Sequence, residues 1–282
     1  MFKYKHLWEK LYNDIKGGSW PQEIPLEVDF YQLPQYMQER FLEVGYDPSW
    51  SGIKRWNTTG PNKFSVFYSD ECDGGGTLYS DDYVENIKEY YSNQTFDRCY
   101  EWCSGPGFIG FNLLSHGICN SLCLTDIYLP ALDWAEETKL YKPNNIANKV
   151  DTYLIKDLAL LPSTEQFNLV VANPPHSNSL SSNILSHNLN RIVTDVNWDS
   201  HRNFYKNIKS HLSEDGIILL LENHGGSTVE DFIPMIEENG LTVKDSWNSK
   251  THYSAPTKEW SQNNADQNQS VQQIYYIEIV HK

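Results

Sequence analysis

The chain has 282 residues, 39% hydrophobic and 13% aromatic, with a formal net charge of -15. That is enough for one large packed domain plus an extension, and the acidic balance ranks nucleic acid below a protein or small-molecule partner, since phosphate-binding surfaces are ordinarily basic. A mean hydropathy of -0.57 and the lack of an apolar run of about 18 residues argue against a membrane span. The amino-terminal Met1-Phe-Lys-Tyr-Lys-His6 is unlike a signal peptide, so a cytoplasmic location is expected.

Residues 2–16 carry Leu7, Leu11 and Ile15 at helical spacing, with Trp8 and Tyr12 beside them. Gly17-Gly18 stops that helix, and Pro21, Pro25 and Pro34 keep the next stretch of chain irregular. A short helix is expected from Gln35 to Val44, and Phe64-Ser-Val-Phe-Tyr-Ser69 reads as a strand. Nothing in residues 1–70 carries a chemical signature. They are assigned as an N-terminal extension, either a cover over the main domain or a substrate-recognition region. Asp73-Gly-Gly-Gly-Thr77-Leu-Tyr79 precedes a helix expected from Asp81 to Ser92. A plain linker is the favoured reading of this loop, and a lid over a ligand is the alternative.

From Asp97 strand and helix alternate, which predicts an α/β fold with a mostly parallel sheet. Strands are expected over Arg98–Cys103, Ser121–Asp126, Thr152–Lys156, Asn168–Asn173 and Gly216–Glu222. Helices are expected over Phe108–His116, Leu129–Leu140, Ser200–Leu212 and Val229–Asn239. Leu241–Trp247 and Gln273–Val280 then come as two strands with no helix between them, joined by a polar loop over Trp260–Gln272. That ending predicts an antiparallel last strand inserted into the sheet. The five cysteines, Cys72, Cys99, Cys103, Cys119 and Cys123, read as reduced structural thiols, and no metal site is expected.

Glu101-Trp-Cys-Ser-Gly105-Pro-Gly107-Phe-Ile-Gly110 reads as a strand running into a glycine-rich turn that opens a helix, where unpaired N–H groups favour a polar cofactor. Asp126 closes the next strand, where a ribose-binding carboxylate is expected. These residues fit both a nicotinamide dinucleotide, as in an NAD(P)-dependent oxidoreductase, and S-adenosylmethionine. Asp157, just past the third strand, is either an acceptor for an adenine amino group or a helix N-cap. Asn173-Pro-Pro-His176 points to methyl transfer. Neither proline has an N–H to donate, so backbone carbonyls and the Asn173 side chain form a set of acceptors that can grip an –NH2 group and aim its lone pair at a methyl carbon. His176 would pack flat on a planar substrate. A Pro-Pro turn that merely ends a strand is the alternative.

On these residues the chain resembles the class I S-adenosylmethionine-dependent methyltransferases whose fourth strand ends in Asn/Asp-Pro-Pro-aromatic, and is similar to release-factor glutamine N5-methyltransferases. Glu101–Gly107 matches the first family motif, Thr125-Asp-Ile-Tyr-Leu-Pro-Ala-Leu132 the second, Lys156-Asp-Leu158 the third and Asn173–His176 the fourth. The resemblance implies a Rossmann-like methyltransferase domain over residues 71–282, with S-adenosylmethionine as cofactor. It implies cofactor contacts from Glu101, Cys103, Ser104, Gly105, Pro106, Gly107, Phe108, Asp126, Ile127, Asp157, Leu158 and Asn173, and catalysis by Asn173, Pro174, Pro175 and His176. The implied reaction is methylation of an amide or exocyclic-amine nitrogen, of a protein glutamine or a small molecule, with a nucleic-acid base as the alternative acceptor. Two positions depart from the family: Cys103 stands where glycine is usual, and His176 where Tyr or Phe is usual.

Overall fold

Near-continuous apolar runs such as Leu169–Ala172 and Ile217–Leu221 can only lie in strands buried on both faces, and the computed structural model puts them at the centre of one sheet. The structure describes residues 12–13, 15–17, 35–43, 54–69, 72–92, 94–178, 194–253 and 273–282. Before the sheet come α1 (Gln35–Glu43), β1 (Lys54–Asn57), β2 (Ser65–Tyr68) and α2 (Gly76–Tyr90). Next are β3 (Phe96–Trp102), α3 (Phe108–Ser115), β4 (Cys119–Asp126), α4 (Leu129–Leu140), β5 (Val150–Leu154) and β6 (Phe167–Ala172). The chain ends with α5 (Asp199–Ile208), β7 (Leu212–Asn223), α6 (Val229–Glu237), β8 (Leu241–Tyr253) and β9 (Gln273–His281).

The sheet order is β5-β4-β3-β6-β7-β9-β8. All pairs from β5 to β7 are parallel, and β9 runs antiparallel between β7 and β8. This is the expected Rossmann-like α/β sheet with an inserted antiparallel last strand. Side chains alternate between two cores. Leu169, Val171, Leu219 and Tyr276 join residues of α2, α3 and α4 on one face. Val170, Ala172, Leu220 and Tyr275 join residues of α5 and α6 on the other.

The structure departs most from the sequence expectation at three places. Helix α2 begins at Gly76 rather than at Asp81, because Asp73 ties the turn: Gly75 N–H donates to its Oδ1 and Thr77 Oγ1 to its Oδ2. Strand β1 has no counterpart in the sequence expectation. Its Lys-Arg-Trp-Asn sequence has no period of its own and pairs only because β2 lies alongside, with Trp56 edge-on to Phe108. Strand β8 runs on to Tyr253, past the expected end at Trp247. Leu7, Trp8, Leu11, Pro21, Pro25, Pro34, Val44 and the expected loop Trp260–Gln272 lie outside the described residues; Tyr12 and Ile15 are helical and buried.

Tyr83 of α2 ties the helix layer to the middle of the sheet. Its fully buried hydroxyl lies 2.6 Å from the Ala172 carbonyl and 3.0 Å from the Leu219 carbonyl. Tyr83→Phe leaves these buried acceptors short of a donor and is expected to cost about 1–2 kcal/mol, read as a lower urea midpoint at unchanged slope.

Candidate active site

Strand order reverses between β3 and β6, and ligands of open α/β sheets bind outside the carboxyl ends of strands at such a switch point. Trp102, the last residue of β3, pairs with Ala172, the last of β6. The glycine turn at 103–107 and the tetrad Asn173–His176 therefore leave the sheet side by side. The turn is held in left-handed backbone at Cys103 (φ 53°), Gly105 (φ 53°) and Gly107 (φ 87°). Cys103 takes this conformation although it carries a Cβ, a costly choice for a non-glycine residue. At Gly107 a Cβ would come within 2.7 Å of Leu124 Cδ1, so packing of α3 on β4 requires glycine there.

Two carboxylates brace this turn from below. Gly110 N–H donates to buried Glu101 Oε2 at 2.8 Å. Burial pushes the Glu101 pKa up to about 8, against the opposing pull of the Gly110 and Ile109 N–H groups. Gly105 N–H donates to Asp126 Oδ2 and Tyr128 N–H to Asp126 Oδ1, each at 2.8 Å. Burial raises the Asp126 pKa in spite of these bonds. Ser104 N–H reaches the Thr125 carbonyl at 2.9 Å. Ser104, Pro106 and Phe108 are buried, and Phe108 packs edge-on against Trp56 and Tyr68. Ile127, half exposed beyond the end of β4, faces solvent with its apolar side chain.

Asp157 lies past β5 at the same edge of the sheet. Its Oδ1 accepts from Ala159 N–H at 3.0 Å, capping a short turn, and from Asn203 Nδ2 at 2.7 Å. These bonds, that from Asn203 foremost, hold its pKa below the usual carboxylate range. Leu158 is buried beside it, and its N–H donates to Asn203 Oδ1.

Asn173 Nδ2 donates to the Gly74 carbonyl at 2.9 Å. The triple-glycine stretch is therefore not a plain linker: it lies against the tetrad, and the Cys72 carbonyl stands 3.4 Å from where a Cβ on Gly105 would be. With its Nδ2 so engaged, Asn173 turns its Oδ1 the other way. That oxygen is buried and has no partner among the described residues, a rare condition for a buried acceptor. Pro174 is buried and Pro175 half-buried.

His176 leads into a chain of buried charge for which the sequence motifs gave no warning. Its Nδ1 lies 3.2 Å from Glu222 Oε2 on β7. Glu222 Oε1 lies 3.0 Å from His201 Nε2 on α5, and His201 Nδ1 lies 2.7 Å from Asp195 Oδ2. Glu222 and His201 are fully buried. Burial alone would lower the His201 pKa, but the bonds to Asp195 and Glu222 outweigh it and raise the value to about 9. The same contacts hold the Glu222 and Asp195 carboxyls below their usual range against the effect of burial. Trp102 and Trp198 stand nearly perpendicular to the His201 ring, and Phe232 stacks on it at 4.9 Å. A sequence signal did exist: Glu222 takes the inward parity of Ile218 and Leu220, where an apolar residue belongs.

No protein-family model matches the sequence, and comparison with curated protein sequences finds no match. Solved structures do match. A ribosomal protein L11 methylase from Lactobacillus delbrueckii subsp. bulgaricus is 17% identical over 72% of this chain and 78% of its own, with a TM-score of 0.45. An S-adenosylmethionine-dependent methyltransferase from Clostridium acetobutylicum is 12% identical over 72% and 90%, at 0.48. A T. thermophilus 16S rRNA N2 methyltransferase, in complex with AdoMet and guanosine, is 13% identical over 82% of this chain and 50% of its own, at 0.50. The last likeness shows the Rossmann-like α/β fold alone. Among the described residues no group of side chains is arranged to hold a metal ion, no disulfide forms, and no helix is long and apolar enough to cross a membrane.

A histidine whose folded pKa is raised above its unfolded value contributes stability below the unfolded pKa and loses it as pH climbs through the folded one. Wild-type stability is therefore expected to fall between about pH 6.5 and 9 as His201 loses its proton. Glu101, with a folded pKa of about 8, adds a fall in the same direction from about pH 4.5 upward. Urea midpoints across this range should decline less steeply in His201→Gln than in the wild type, and equal slopes would remove His201 as the cause.

Proposed function

We propose that the chain is an S-adenosylmethionine-dependent N-methyltransferase acting on the –NH2 group of an amide or exocyclic amine. The observation that carries this is Asn173 Oδ1, a buried acceptor with no partner among the described residues, at the switch point beside the glycine turn. Its Nδ2 is already spent on Gly74, so the group that completes the site must donate.

The residues around it fit the cofactor. Asp126, at the end of β4, has used one lone pair on each oxygen for backbone N–H groups, and a carboxylate offers about four acceptor positions. The remainder suit a pair of ribose hydroxyls. Asp157 keeps Oδ2 without a partner among the described residues, since both of its bonds fall on Oδ1. Ile127 and Leu158 would supply apolar contact to a base. When bound, the cofactor supplies an electrophilic methyl group on a sulfonium. Asn173 Oδ1 and the Pro174 carbonyl would grip the two N–H bonds of the acceptor, so that the nitrogen lone pair faces that methyl. Most of the rate would come from this positioning, because an amide or base amine is a poor nucleophile. The same tetrad has no part in hydride transfer, which ranks an NAD(P)-dependent oxidoreductase second.

Among acceptors, the net charge of -15 favours a protein glutamine or a small molecule over a nucleic-acid base. The likeness to an rRNA methyltransferase in complex with guanosine keeps a base amine as the second acceptor class. Residues 71–282 would carry the reaction, with residues 1–70 as the extension.

Titration calorimetry with S-adenosylhomocysteine should show binding, and Asp126→Ala should weaken it by about tenfold or more. Asn173→Ala should hold S-adenosylhomocysteine nearly as well as the wild type. It should lose about a hundredfold or more of methyl transfer from radiolabelled cofactor to a cell extract. The fraction that takes the label (protein, nucleic acid or small molecules) identifies the acceptor class. A wild-type protein that binds no S-adenosylhomocysteine removes the proposal.

A further inference from the structure

We propose that His176 is the proton acceptor of this site, with Nε2 taking the proton that the acceptor nitrogen sheds, and that Glu222, His201 and Asp195 are the buried positioning residues that hold it ready. The inference rests on the methyltransferase reading and goes beyond it. Asn173 and the prolines only orient a nucleophile, whereas a nitrogen that gains a methyl group must also lose a proton.

The geometry fixes the histidine's form. Glu222 is ionised and accepts only, so His176 Nδ1, 3.2 Å from its Oε2, carries the proton of the neutral ring. The Nε2 lone pair then points away from Glu222. It has no partner among the described residues, while the side chain as a whole keeps 20% of its surface exposed. The backbone at His176 is also held firmly. A Cβ on Gly226 would sit 2.1 Å from the His176 carbonyl oxygen, so the loop after β7 closes on the tetrad as only glycine allows. On the other side Asp195 N–H donates to the Ser177 carbonyl at 2.7 Å.

Glu222 keeps its charge because His176 and His201 both bond to it, and His201 is an imidazolium between two carboxylates. Both of its ring nitrogens face oxygens that only accept. The other groups packed around Glu222 are Tyr83 of α2, Cys103 of the glycine turn, Tyr205 of α5 and Tyr275 of β9. Burial pushes the pKa of all four up, so they stay neutral. Ser227 Oγ adds a neutral bond to Glu222 Oε2 at 3.3 Å.

The step balances. The nitrogen lone pair forms the new N–C bond, the C–S pair returns to sulfur as a neutral thioether, and the N–H proton passes to His176 Nε2. The imidazolium so formed faces Glu222, which compensates its charge, and the proton leaves to water afterwards. A stacking Phe or Tyr at 176 can do none of this, which gives the departure from the family pattern a chemical purpose.

Two measurements decide it, neither needing the natural acceptor. In 15N-histidine NMR of the apo protein, assigned with His176→Phe, wild-type His176 should be the Nδ1–H tautomer at about pH 7.5, with His201 doubly protonated at the same pH. Glu222→Gln should abolish both preferences. An Nε2–H tautomer at His176 overturns the proposal, and because this arm uses the wild type it does not depend on any variant folding. Calorimetry should then compare S-adenosylhomocysteine with sinefungin, which carries CH–NH3+ in place of the methylsulfonium. At about pH 8 the wild type should prefer sinefungin about tenfold more strongly than His176→Phe does. Binding of S-adenosylhomocysteine with the same sinefungin preference in wild type and His176→Phe overturns the His176 role alone. No binding of either ligand fells the methyltransferase reading, and the role of His176 falls with it.

Discussion

Parallel pairing of β3 with β6, Trp102 beside Ala172, brings the glycine turn and the Asn173 tetrad out of the sheet as neighbours. The chain runs from β3 to β4 and β5 on one side, then crosses back to lay β6 and β7 on the other. In open α/β sheets such a reversal of strand order is where ligands bind. Tyr83 secures the seam from the α2 layer through the Ala172 and Leu219 carbonyls. Any shift of β6 relative to β3 would separate the acceptors of the tetrad from the turn.

Carboxylates at the sheet edge serve the backbone before they serve a ligand. Glu101 takes the N–H of Gly110, Asp126 those of Gly105 and Tyr128, and Asp157 that of Ala159. Each satisfies a donor that a turn or a helix start leaves without an intrahelical partner. The acidic residues of the motifs thus build the cradle, and the lone pairs left on Asp126 and Asp157 are what a ligand would use. Glu101, sealed beneath the turn, is the most purely architectural of the three.

Asp195, His201 and Glu222 place three ionisable groups where a core would ordinarily be apolar. Removing charge from water costs several kcal/mol per ion unless partners compensate. Here every hydrogen-bonding position of His201 is met by an oppositely charged oxygen, and its ring is enclosed by Trp102, Trp198 and Phe232. A cluster so demanding adds little to stability that hydrophobic residues could not supply. Its contact with His176, three residues after Asn173, whose Oδ1 has no partner among the described residues, ties it to the candidate site.

Periodicity in the sequence determined the α/β class, the alternation of strands and helices, and the unusual ending with β8 and β9, because burial on one or both faces writes itself into residue spacing. Leu129–Leu140 was legible to the residue, and the apolar cores of β6 and β7 were plain from composition alone. The glycine turn, Asp126 and Asn173–His176 were legible as candidates because proline and glycine restrict backbone in ways that do not depend on context. Only the tertiary structure decided what Asp73–Tyr79 does, since the bond from Asn173 to Gly74 joins residues far apart in the chain. The same holds for β1, which forms only through its partner. It also decided that Glu222 meets His176 and His201, because three residues on three separate elements become one charged chain only after the sheet has closed and the α5 layer has packed on it. Local spacing reports which way a side chain faces, and the fold alone settles what it finds there.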